Sequence, residues 1–414
     1  MRSTISTSEL SERLTDPDLV VVDVRPTAAY NGWKLQREAR GGHIRGAISF
    51  PMSWTRAVTA PGLVSLLASK GITPRKMVVV YGYSEGDGAA MSRTLRGLGF
   101  TNVRTYASGL TEWAADDSLP MARLVNYERL VHPQWVDRLI SGENPETYPG
   151  MGFVVFEVSS GEYGQYRTGH IPGAVHFDTN GIEKKPTWNR VSDRELEDIL
   201  CAHGVTHEKT VVLYSKNRSA ATRVASILMY AGARDVRLLD GGLEAWTSAG
   251  YDVETEIREP IPVGAFGATI PAHPEYILDT DEVTTLLEDE EAVLVSVQSW
   301  SEYIGETSGY TYMQRKGHIA GALWGHPGLG PQSMGHYRNI DHTMRSYREI
   351  ESVWRDEGIT PDHRVIFYCG TGWRASEAFF CAYLMGWPDI SIYDGGWAEW
   401  SLDESRQIEV GIPV

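Results

Sequence analysis

The stretch Val365 to Ser376, "VIFYCGTGWRAS", sets a cysteine at the end of an apolar run and ahead of a glycine-rich turn. A cysteine thiolate is a strong nucleophile toward sulfur. Successive backbone N–H groups of a tight loop can converge on one point, and a following helix adds its positive end. Both features favour the thiolate form of Cys369. Arg374 adds a full positive charge on the same loop. Cys369, Gly370, Thr371, Gly372, Trp373 and Arg374 together predict a sulfur nucleophile with built-in recognition of an anion, such as a sulfonate or a carboxylate. Cys201 and Cys381, the other two cysteines, fall in apolar helical patterns, "ELEDILCAHG" and "AFFCAYLMG". Both are expected only to pack.

The elements that must position this loop occur three times along the chain. "GHIRGA" at Gly42 returns as "GHIPGA" at Gly169 and "GHIAGA" at Gly317. Before each lies an apolar strand: "LVVVDVR", "FVVFEVS" and "AVLVSVQ". After each comes a helical run closed by glycine at Gly71, Gly204 and Gly358, which suits the left-handed position that ends a helix. A second strand follows, "MVVVYG", "TVVLYS" or "RVIFYC", then a helix, then a strand and turn ending "SGLTEW", "GGLEAW" or "GGWAEW". Short β-branched strands that are apolar on both faces indicate a buried parallel sheet covered by helices on both sides. The fold class is α/β, with three tandem domains over 1–125, 126–265 and 266–414. Boundaries are expected near 118–132 and 255–280, the second marked by the Pro- and Gly-rich "EPIPVGAFGATIPAHP".

In an open α/β sheet, ligands sit beyond the carboxyl ends of the strands. At that place the three copies carry Gly82, Ser215 and Cys369. Only the third has a good nucleophile. The GHI histidines recur in copies without the cysteine, so they are expected to be structural. The segment from Gly317 to Tyr347 is longer than its counterparts. His326, His336 and Arg338 either close over the site or belong to a structural insertion, which is the expectation. Arg37 and Arg40 of copy one are candidates for a domain contact.

A net charge of -16 argues against nucleic acid or an anionic membrane surface as the main partner. No apolar run approaches the ~20 residues of a membrane span. The start, "MRSTISTSELSERL", has no apolar h-region, so a cytoplasmic location is expected, with the periplasm as the alternative if a signal has been trimmed. Three cysteines make no disulfide framework, and none has C-x-x-C spacing for a metal. No cofactor is expected.

The GHIxGA turn, the strand-end cysteine loop and "YDGGWAEW" together resemble the rhodanese family of sulfurtransferases. Three such domains, with "CGTGWRAS" last and "SGYTY" (Ser308 to Tyr312) before it, resemble the three-domain bacterial thiosulfate sulfurtransferase group. The resemblance implies ping-pong transfer. Cys369 takes a sulfane sulfur from a small anionic donor, becomes a persulfide, and passes the sulfur to cyanide, a thiol or a protein acceptor. Thiosulfate is the first donor, with Arg374 as a charged fork for its oxygens; 3-mercaptopyruvate is the second. Two departures stand out. Copy one keeps Asp23-Val24-Arg25 where the cysteine-bearing copy has Ser296-Val297-Gln298, and Glu302 stands where two-domain members place a substrate arginine. A tyrosine-phosphatase-type loop, with five residues between Cys and Arg, is the competing reading. Here only four residues intervene.

Overall fold

A computed structural model describes residues 3–412 apart from 162, 217 and 331. It contains three five-stranded sheets. The first is built from β1 (Thr4–Ile5), β2 (Leu19–Asp23), β3 (Ile48–Ser49), β4 (Met77–Tyr81) and β5 (Val103–Tyr106). The second has β6 (Leu130–Val131), β7 (Phe153–Ser159), β8 (Val175–Asp178), β9 (Thr210–Tyr214) and β10 (Asp235–Leu239). The third has β11 (Ile277–Leu278), β12 (Ala292–Ser296), β13 (Leu323–Trp324), β14 (Arg364–Tyr368) and β15 (Ile390–Tyr393). The spatial orders are β1-β5-β4-β2-β3, β6-β10-β9-β7-β8 and β11-β15-β14-β12-β13, one topology repeated. Every pairing within these sheets is parallel.

Strand periodicity explains why both faces are apolar. Val20, Val22, Val78 and Val80 meet Trp54, Leu67, Met91 and Leu95 on one side of the first sheet. Their neighbours Val21, Val79 and Tyr81 meet Leu10, Leu110 and Trp113 on the other. Successive side chains of a strand point to opposite faces, so a strand buried on both sides must be apolar throughout.

The chain divides into two compact units, Met1–Glu128 and Arg129–Val414. The first unit holds one of the five-stranded sheets and the second holds the other two. Helix α1 (Glu85–Gly97) follows β4 in the first unit; within the second unit, helix α2 (Arg218–Ala231) after β9 packs on helix α3 (Trp373–Met385) after β14. Ser226 Oγ lies 3.1 Å from Ser376 Oγ across this seam. The Pro- and Gly-rich linker is bonded to the second domain: Val263 N donates to Cys201 O, His207 N to Phe266 O, and Ala272 N to Tyr230 O.

Each GHI turn is tied down by one repeated arrangement. Nδ1 of His43, His170 and His318 lies 2.8, 2.8 and 2.7 Å from the carbonyl oxygens of Tyr30, Tyr166 and Tyr303. Each imidazole also stacks on that tyrosine's ring, at 3.6, 3.6 and 3.8 Å. The following Ile44, Ile171 and Ile319 donate their N–H to the hydroxyls of Tyr81, Tyr214 and Tyr368 at 3.1, 2.9 and 3.0 Å. These histidines brace a turn, as their recurrence implied. Tyr368 directly precedes Cys369, so the GHI turn fixes the end of β14. Arg40 differs from expectation: it donates to Trp113 O, Ala114 O and Leu119 O of its own domain and makes an intradomain cap.

Replacing Tyr368 by Phe leaves the buried Ile319 N–H without its acceptor. The expected loss is about 1–3 kcal/mol. Urea unfolding followed by tryptophan fluorescence should show a lowered midpoint for Tyr368→Phe.

Candidate active site

Cys369 directly follows β14, with 0% of its surface exposed. Tyr368 O accepts from Val297 N at 2.7 Å, Cys369 O from Trp397 N at 2.7 Å, and Gly370 O from Ala398 N at 2.9 Å. The loop backbone is therefore held on both sides, by the end of β12 and by the glycine turn after β15. Gly372 caps α3 in the left-handed region, φ +86. Gly370, Thr371 and Gly372 are buried, and Trp373 is half-buried. Gly370 has no room for a side chain: a Cβ would stand 2.3 Å from the ring of Tyr310. Tyr310, from the "SGYTY" segment, thus lies directly on the loop. Burial pushes its phenol up to about 12.

Arg374 is buried, at 4% exposed, and is fully paired at its tip. Nη1 donates to Glu302 Oε2 at 2.7 Å and Nη2 to Glu302 Oε1 at 2.9 Å. Glu302 is 0% exposed. Burial works against its charge, but Arg374 and hydrogen bonds from Ser299 outweigh that and hold its carboxyl below the usual 4.5. Burial likewise opposes the Arg374 charge; Tyr310, Glu302 and Cys369 more than offset it. The charged fork expected of Arg374 for a donor's oxygens thus has both terminal nitrogens paired with Glu302, because a buried guanidinium needs a carboxylate. Its Nε has no partner among the described residues. The same pairing balances the arginine's charge, which weakens the phosphatase reading. Gly309 lets the segment pass, since a Cβ there would lie 1.8 Å from Glu302 Oε1.

The second domain supplies one wall. A hairpin, Glu183–Lys184 paired with Asn189–Arg190, reaches the loop. Trp373 Nε1 donates to both carboxylate oxygens of Glu183 at 3.0 Å. Arg223 of α2, 0% exposed, donates to Glu183 at 2.8 Å and to Asp394 at 2.6 Å. Its Nη1 has no partner among the described residues and lies 3.0 Å from where a Cβ on Gly372 would be. Arg190 N donates to Asp394 and Asn189 Nδ2 to Glu399. Tyr312, half exposed, bonds to Trp188 and lies in the field of Cys369 and Glu183.

Sequence reasoning assembled the loop itself. It missed Glu302 as partner of Arg374, and it missed Glu183, Arg223 and Asp394. One signal was readable: Arg223 stands in the otherwise apolar run "RVASILMYA", and a charge there must find a buried partner. His326 pairs with Glu357 at 2.7 Å, and Arg338 pairs with Glu377 and with Ser219 of the second domain. These contacts make the long segment part of the domain seam. Gln298 and Ser296 replace the buried Asp23–Arg25 pair of copy one by a neutral bond of 2.9 Å. Cys381 is buried and its thiol is pushed up to about 12; burial also raises Cys201. Among the described residues no group of three ligands could hold a metal, and no helix is long and apolar enough to cross a membrane.

Comparison with known proteins gives consistent relatives. The model of the rhodanese-like domain matches residues 6–116, 133–249 and 279–403. The thiosulfate sulfurtransferase YnjE of Escherichia coli K12 is 40% identical over 391 residues, covering 94% of this chain and 88% of the relative. The sulfur carrier protein TtuD of Thermus thermophilus is 32% identical over 265 residues, 60% of this chain and 86% of the relative. Among solved structures, wild-type EanB is 42% identical with a TM-score of 0.96, covering 100% of this chain and 99% of its own. EanB has also been solved with hercynine, and with ergothioneine and a cysteine persulfide.

Replacing Glu302 by Gln leaves a buried arginine unbalanced, and a loss of about 3–5 kcal/mol is expected. The pairing also sets a pH dependence. Glu302 is more acidic when folded, so its contribution is complete above the unfolded value near 4.5 and is lost as pH falls through the lower folded value. Unfolding curves from pH 7 to 3 should converge for wild type and Glu302→Gln at the acid end.

Proposed function

The chain belongs to the rhodanese-like family and is a sulfurtransferase, and on that premise we propose that Cys369 is its persulfide carrier and thiosulfate its donor. The Cys369 thiolate attacks the outer sulfur of thiosulfate. A new S–S bond forms as the donor's own S–S bond breaks, and the electron pair departs on sulfite. A thiophilic acceptor then takes the terminal sulfur and the thiolate returns. Cyanide would leave as thiocyanate and a thiol as a persulfide. The observation that carries this reading is the buried cysteine at a strand end, on a loop pinned at both sides and next to a fixed guanidinium. In this scheme the backbone of Gly370, Thr371 and Gly372 receives the anion, and Trp373 walls the site. Arg374 acts through its field, with Glu302 holding it in place.

A second reading of the acceptor rests on a separate observation. The arginines at the loop are already matched by carboxylates, and Tyr310, Tyr312 and Trp373 crowd it. Such a lining suits a cationic or neutral heteroaromatic molecule, because aromatic faces attract cations. Hercynine, which EanB binds, is an imidazole bearing a trimethylammonium group. In this variant the terminal persulfide sulfur moves to a ring carbon, and the displaced ring proton ends on the product or on the returning cysteine. A protein thiol as acceptor and 3-mercaptopyruvate as donor are the further alternatives.

Intact mass after incubation with thiosulfate tests the carrier. Wild type should gain one sulfur atom, and Cys369→Ser none. Turnover retained by Cys369→Ser would overturn the assignment. Discharging the loaded protein with cyanide, a thiol or hercynine in parallel ranks the acceptors. Loading by mercaptopyruvate alone would replace the donor.

A further inference from the structure

The second domain has a cavity at the place where the third has Cys369. It measures about 510 Å³ and opens between the end of β9, the glycine turn after β10 and the long segment of the third domain. Leu213, Leu238, Leu239 and Leu243 give it an apolar floor, and Lys216, Arg218 and Arg338 give it a cationic side. That volume falls within the roughly 300–1,000 Å³ of small-molecule sites and is far larger than an inorganic oxyanion needs.

Its cations differ in how they are committed. Arg338 is held by Glu377 at 2.5 and 2.8 Å. Arg218 Nη1 donates to Asp240 at 3.1 Å, and Glu377 lies 3.9 Å from its Nε. These carboxylates fix the two guanidinium groups in position. Arg218 Nη2 makes no hydrogen bond among the described residues, and Lys216 is exposed with no carboxylate partner among them. Two sets of cationic N–H donors therefore border an apolar cavity unused. The acids on the lining oppose an anion only weakly. Glu244 is at the rim beside His342, 3.2 Å apart. Glu157 is buried, which pushes its carboxyl up to about 7, so near neutral pH it is partly uncharged.

We propose that this cavity binds an organic monoanion with an apolar body, such as an aryl sulfonate or aryl carboxylate, held by Lys216 and Arg218 over the leucine floor. Ser215 occupies the cysteine's position there, so binding proceeds without sulfur chemistry. The site is separate from the proposed function of Cys369 and stands without it.

The test uses the full chain carrying Cys369→Ser, so that no sulfur chemistry interferes. It is titrated with 8-anilinonaphthalene-1-sulfonate and, separately, with uncharged N-phenyl-1-naphthylamine, each followed by fluorescence. The sulfonate should saturate one site and bind at least tenfold more tightly than the neutral probe. Lys216→Glu should weaken the sulfonate at least tenfold, and Arg45→Glu, an exposed change elsewhere, should leave it unchanged. Leu243→Trp should fill the cavity and abolish binding; if that variant does not fold, the exposed Lys216→Glu decides. Equal affinity for the two probes, or sulfonate affinity unchanged in Lys216→Glu, would overturn the proposal.

Discussion

A buried guanidinium must have a carboxylate beside it, and the surroundings of the cysteine loop follow from that requirement twice. Arg374 takes Glu302 as its partner from below. Arg223 takes Glu183 and Asp394 from the side. Removing one member of such a pair costs more than the pair itself contributes, because the survivor is left charged in a dry place. The short helix at Trp300–Tyr303, the "SGYTY" segment, the hairpin at Glu183 and the turn after β15 are therefore all committed to one geometry around Cys369. Glu183 illustrates the balance: burial raises its carboxyl, and Arg223 and Trp373 pull against that rise.

The second and third domains treat each other as near mirror partners with opposite charge. Counting from the loop, Ser215 to Arg223 and Cys369 to Glu377 are the same step of eight residues. Arg223 leans on the third domain's loop and meets Asp394. Glu377 leans on the second domain's loop and meets Ser219, Arg218 and Arg338. Met344 N reaches Asp240 just as Arg190 N reaches Asp394. A domain without a nucleophile therefore still completes its neighbour, which is a physical reason for its presence beside the third.

Local signals made the fold and the loop legible in the sequence. Strand runs such as "MVVVY" carry their burial in their composition, and the GHI turns announced themselves by repetition. Cys369 to Arg374 are consecutive, so their meeting needed no tertiary knowledge. The partners were a different matter. Glu302 and Arg374 are 72 residues apart, and Glu183 and Trp373 are 190 apart. Nothing in spacing or periodicity pairs residues at such separations. Arg374 illustrates the cost: its charge was readable, but whether that charge was spare or spent depended on a glutamate far along the chain. Glu302 stands out in the sequence for the arginine it replaces, whereas its contact with Arg374 exists only in the fold.

The complete burial of Cys369 has a geometric consequence for the two halves of a sulfur-transfer cycle. A persulfide adds one S–S bond, about 2.05 Å long, to a side chain that begins with no exposed surface. The reactive atom therefore sits at two depths. On the proposed cycle a donor would have to reach a sulfur with no exposed surface, on a loop against which the Tyr310 ring packs. An acceptor would meet a sulfur one bond farther from the Cys369 backbone. Loading would then be the more demanding half of that cycle for a bulky molecule, and unloading the less demanding half.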